Sequence, residues 1–113
     1  MVAAARGGLT YWRRAGTWLE EERAEFRLAR SLTLAGDPRA GAEHAQRCLT
    51  LCEQNGAPAF ERFFGWFALA AAQRAAGDSA AFDEARQRAL AQLAAVPADE
   101  RGWCEAERRA LGG

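Results

Sequence analysis

The chain's only histidine, His44, stands four residues before Cys48, and Cys48 stands four before Cys52. On a helix this spacing brings successive side chains onto neighbouring positions of one face. Imidazole and thiolate are the ligands of zinc, and a thiolate beside a histidine is a nucleophile. His44, Cys48 and Cys52 are therefore the chain's foremost candidates for metal or thiol chemistry. A closed zinc site takes four ligands, commonly from two elements, whereas one helix here supplies at most three. At 100° per residue, Pro38, Gly41, Ala45, Cys48, Leu49 and Cys52 form one stripe. Cys48 and Cys52 lie near its centre, and His44 lies at the margin, about 40° from Cys48 and about 80° from Cys52. Free cysteine packs as a small hydrophobe. The spacing thus reads as a buried helix face, with no metal and no cofactor expected, and only His44 keeps an open role.

Other chemistry is sparse. Ser31 and Ser79 are the only serines, and any triad would have to share the one histidine. Every basic residue is arginine, so neither a Schiff-base lysine nor a P-loop is available. Glu20, Glu21, Glu22 and Glu25 read as a solvated charge run on a helix. Cys104 is expected to be the most exposed thiol, without a nearby histidine to activate it. No catalytic residue is assigned, and an enzyme is not expected.

The elements that carry these residues are all helical. Alanine, leucine, arginine and glutamate are strong helix formers, while isoleucine is absent. Thr17-Trp18-Leu19-Glu20 has the form of a capping box opening a helix that ends at Gly36-Asp37. Asp37 caps a second helix with Pro38 at its first position, which runs to about Asn55 and stops at Gly56. Pro58 opens a third, ending near Ala76, and a fourth follows Gly77-Asp78 from about Ser79 to Ala95. Pro97 blocks continuation, and Asp99 caps a fifth helix through Leu111. Leu9–Ala15 is expected to form at most a short turn of helix after a flexible start.

A 113-residue chain suits one domain with a modest core. Fifteen basic residues balance fifteen acidic ones, so the net charge gives no attraction to nucleic acid or to an anionic membrane. No apolar run approaches membrane-spanning length. Three cysteines without framework spacing suit a reducing cytoplasm.

The second and fourth helices overlay without a gap. GDPRAGAEHAQRCL (Gly36–Leu49) matches GDSAAFDEARQRAL (Gly77–Leu90) at the opening Gly-Asp, a glutamate, Gln-Arg and the final leucine. The preceding helices keep the register, with Phe26, Leu28 and Ala29 over Phe67, Leu69 and Ala70. One helical hairpin is thus written twice, 41 residues apart. The pattern resembles the tetratricopeptide repeat, W-x2-L-G-x2-Y followed by A-x3-F. Trp66-x2-Leu69-Ala70, the Gly77-Asp78 turn and Ala89-Leu90 carry the likeness in the second repeat. Leu28-Ala29, Leu32, Gly36-Asp37, Gly41, Ala45 and Leu49 carry it in the first. Gln73 replaces the family's aromatic, Phe82 stands where a small residue is usual, and the period exceeds 34.

The resemblance implies an all-α superhelix. Residues 1–16 would be an N-terminal flexible segment or short helix, residues 17–96 two stacked hairpins, and residues 97–113 a C-terminal capping helix. In that last helix Trp103, Ala106, Ala110 and Leu111 form an apolar stripe suited to the capping role. The resemblance also implies a concave groove formed by the first helix of each hairpin. Its partner-binding residues would be Arg23, Phe26, Arg27, Arg30, Phe64, Phe67 and Arg74. Arg23, Arg27 and Arg30 share one face at i, i+4 and i+7, and guanidinium groups beside aromatic rings suit an acidic segment. The expected function is a non-catalytic protein or peptide interaction module. The alternatives are a homodimer built on the aromatics of residues 60–67 and a thiol or metal site at His44, Cys48 and Cys52.

Overall fold

Two turns with the same bonding set the chain's course. At Gly36 the N–H donates to the Thr33 carbonyl at 3.2 Å, and Asp37 N–H donates to the Leu32 carbonyl at 2.9 Å. At Gly77 the N–H donates to the Arg74 carbonyl at 3.1 Å, and Asp78 N–H donates to the Gln73 carbonyl at 3.0 Å. Both are Schellman closures, and the glycines sit at φ 90° and 81°, where a Cβ would be strained. Each following aspartate then caps the next helix. Asp37 accepts from the Ala40 N–H at 3.3 Å and Asp78 from the Ala81 N–H at 3.1 Å.

The computed structural model describes residues 17–111. It is all-α: α1 (Trp18–Leu34), α2 (Pro38–Asn55), α3 (Ala59–Ala75), α4 (Ser79–Ala95), a 3-10 turn (Ala98–Glu100) and α5 (Arg101–Leu111). The reading of residues 1–16 lies outside the described residues. α1 packs on α2 and α3 on α4 as two hairpins; α2 and α1 both pack on α3, and α5 lies against α3. This is the stacking of a helical repeat.

The helix starts mostly match the sequence reading. Thr17 precedes α1 in an extended conformation, but its side chain makes no capping hydrogen bond. The core is built from Leu28, Ala29, Leu32, Ala45, Ala68, Ala70, Phe63, Phe67, Ala89 and Leu93, all buried. Gly65 allows α3 to close over α2, because a Cβ there would lie 2.8 Å from Leu49 Cδ2 and 3.4 Å from Cys48 Sγ. α5 does not present its expected stripe to the core. Trp103 is 72% exposed and Ala106 and Ala110 are exposed, while Cys104, expected outside, is fully buried. Cys104 packs with Phe63, Phe67, Leu93 and Val96, so α5 has turned so that its small thiol, not its large indole, fits the packed face.

Candidate functional site

α1, α3 and α5 enclose a cleft of about 220 Å³ lined by Glu22, Arg23, Phe26, Arg27, Phe60, Glu61, Phe64 and Trp103. Its aromatic wall is interlocked: the Phe64 ring meets Phe26 at 5.5 Å, Phe60 at 5.0 Å and Phe63 at 5.2 Å, all edge to face. Arg23 makes a forked bond to Glu61, with Nε donating to Oε1 at 3.2 Å and Nη2 to Oε2 at 2.8 Å. Arg27 is exposed at the rim.

Of the seven groove residues expected from the sequence, the cleft gathers Arg23, Phe26, Arg27 and Phe64. Arg30 is turned elsewhere, its guanidinium 5.5 Å from the Phe67 ring and 3.8 Å from a Glu107 carboxylate oxygen. Phe67 is buried in the core and offers no contact surface. Arg74 is exposed and stands over the Phe82 ring at 5.8 Å, on the second hairpin and outside the cleft. The sequence reading missed Phe60, Glu61, Glu22 and Trp103. Phe60 is one helical turn before Phe64, a spacing that could have placed it. Trp103 joins the wall only through the tertiary course of α5.

Beneath the cleft the first hairpin has a polar interior, which corrects the reading of its glutamates as a solvated run. Glu22 and Glu25 are each only 1% exposed. They share a face with Ala29 and Leu32 at i, i+3, i+7 and i+10, which is the face that packs. His44 is also buried, and its Nδ1–H donates to Glu25 Oε1 at 2.6 Å. Glu25 therefore claims the histidine as its partner.

The thiols face a different partner. Cys48 Sγ–H donates to Glu22 Oε1 at 3.0 Å. Ligand atoms of Glu22, Cys48 and Cys52 all lie within 4.8 Å of one another. Glu22 Oε2 is buried and receives no hydrogen bond. Burial, and then the neighbouring Glu61 carboxylate, push the Glu22 carboxyl up to about 9, so it holds its proton at neutral pH. Burial also works against the Glu61 charge, but the forked bond from Arg23 outweighs it and holds Glu61 below the usual carboxylate range. The hydrogen bond with Cys52, and then burial, hold the Cys48 thiol above its ordinary range, whereas that same bond holds Cys52 below it. Burial raises Cys104 to about 11, so it is not a reactive thiolate at neutral pH.

The 41-residue overlay gives these groups an internal comparison. Glu22 corresponds to Phe63, Glu25 to Trp66, His44 to Ala85, Cys48 to Ala89 and Cys52 to Leu93. Phe63, Ala89 and Leu93 are buried together in the second hairpin. The same places in one architecture are thus polar in the first hairpin and apolar in the second. Comparison with protein-family models, curated proteins and solved structures finds no match to this chain.

Proposed function

We propose that the protein is a non-catalytic interaction module of tetratricopeptide-like type, whose cleft takes an acidic peptide segment carrying a bulky apolar side chain. The observation that carries this reading is the cleft's composition. Phe26, Phe60, Phe64 and the largely exposed Trp103 form an apolar wall, and the exposed Arg27 adds positive charge at the rim. Solvent-exposed tryptophan beside arginine is the composition of interface anchors. With the Arg23 charge balanced by Glu61, Arg27 leaves the rim positive, which selects an anionic occupant.

The aromatics of residues 60–67 pack largely within the chain, and Phe63 and Phe67 are core residues. The case for a homodimer built on an aromatic surplus is correspondingly smaller. Three free, buried cysteines suit a reducing compartment such as the cytoplasm. Among the described residues no helix is long and apolar enough to cross a membrane.

The test is fluorescence anisotropy with short labelled peptides that pair a glutamate or aspartate with leucine or phenylalanine. Binding should weaken by about tenfold or more in Arg27→Glu and in Trp103→Ala, a loss typical of interface anchors. Replacing the peptide's acid by arginine should abolish it. Equal binding of the acidic and arginine peptides, or no binding of either by the folded protein, would overturn the reading.

A further inference from the structure

We propose that Glu22, Cys48 and Cys52 bind one zinc-class divalent ion per chain at the floor of the cleft, with the fourth coordination position facing the cleft. The ligands come from two packed helices, α1 and α2, and their ligand atoms already lie within 4.8 Å of one another. A tetrahedral site with Zn–S of about 2.3 Å and Zn–O of about 2.1 Å spaces its ligand atoms roughly 3.6–3.8 Å apart. The set therefore needs to contract by only about 1 Å, within the reach of side-chain rotation.

The second observation is Glu22 itself. Its carboxyl is fully buried, one oxygen accepts from Cys48 and the other receives nothing. Buried carboxyl groups otherwise find donors or are replaced by apolar side chains. Here the second hairpin shows that replacement, with Phe63, Ala89 and Leu93 filling the equivalent space. A fold that accepts an apolar set at these positions does not need a carboxyl and two thiols there to pack.

The set chooses its ion. Two thiolates exclude magnesium and calcium, which prefer all-oxygen shells, while a carboxylate with two thiolates suits Zn²⁺, Co²⁺ and Cd²⁺. Binding forms two metal–sulfur bonds and one metal–oxygen bond, and it releases the two thiol protons and the Glu22 proton to solvent. Glu61, held by the Arg23 fork and lining the cleft beside Glu22, acts as a positioning residue. Glu22 and Glu61 line the cleft while Cys48 and Cys52 lie buried behind them, so the ion enters past the Glu22 side chain and its fourth position takes water or a group of the occupant. His44 is held by Glu25 and is not a ligand.

Cobalt titration of the reduced, chelator-treated full-length protein tests this. The expected result is thiolate-to-cobalt charge-transfer absorption that saturates at one ion per chain and is displaced by Zn²⁺. Cys48→Ser and Cys52→Ser should each lose it, and Glu22→Gln should weaken binding by about tenfold or more. His44→Ala and Cys104→Ser should bind as the wild type does. Because the cysteine variants could fail to fold, the wild type supplies a second reading. Zinc should slow thiol labelling of Cys48 and Cys52 by about tenfold or more and leave Cys104 unchanged. Absence of charge transfer with unaltered labelling would overturn the site. Loss of binding in His44→Ala with normal binding in Glu22→Gln would overturn the ligand set. Peptide binding through Arg27 and Trp103 is a separate property that can stand if the metal site fails.

Discussion

The two hairpins share turns, caps and register, yet one is wet inside and the other dry. In the second, Ala85, Ala89 and Leu93 of α4 meet the apolar face of α3, and nothing there is left without a partner. In the first, the corresponding places hold His44, Cys48 and Cys52, with Glu22 and Glu25 opposite them. Backbone architecture is common to both, so the architecture does not account for the polar set. Buried polar groups are costly unless satisfied, and replacing them by well-packed apolar residues often stabilises a fold. The first hairpin therefore carries a desolvation cost that its twin avoids, and a bound ion would offset it.

Substitutions in either hairpin should separate the two interiors. Truncating the dry side should cost most: Phe63→Ala removes a fully buried ring and should destabilise by about 3–5 kcal/mol in denaturant unfolding. His44→Ala should cost less, roughly 1–3 kcal/mol, because it removes the 2.6 Å hydrogen bond to the buried Glu25 carboxyl. Making the wet side dry should do the reverse. Glu22→Leu, measured in chelator, should stabilise the chain by about 1–3 kcal/mol, since it removes a buried carboxyl oxygen that has no hydrogen bond.

The polar interior should also make stability depend on pH. In the folded, metal-free chain Glu22 keeps its proton up to about pH 9, whereas the unfolded carboxyl releases it near its ordinary value of 4.5. Over that window the folded state binds more protons, so stability falls as pH rises from about 4.5 to 9. Glu22→Gln should flatten that slope. The smallest stability effect belongs to the rim: Arg27→Glu should change unfolding by no more than about 0.5 kcal/mol while lowering peptide affinity.

Much of the fold is written locally. Gly36-Asp37 and Gly77-Asp78 announce both turns because only glycine accepts the left-handed position and aspartate then caps. The overlay of the two hairpins rests on those turns and on the small residues that let helices approach. The site was less legible. Glu22 and Glu25 carry the spacing of a packed face, but their charge argues for solvent, and only tertiary packing decides between the two. Cys48 and Cys52 were readable as buried, whereas their partner Glu22 lies 26 residues from Cys48 on another helix. Trp103 and Cys104 are adjacent, and which one turns inward depends on how α5 meets α3.

On this reading the first hairpin's polar interior serves binding at the expense of folding. Urea unfolding of wild type and Glu22→Leu, each in chelator and in excess zinc, tests it most directly. Glu22→Leu should be the more stable protein in chelator, and zinc should raise the midpoint of the wild type far more than that of the variant. A variant less stable than the wild type in chelator, with zinc moving neither midpoint, would contradict it.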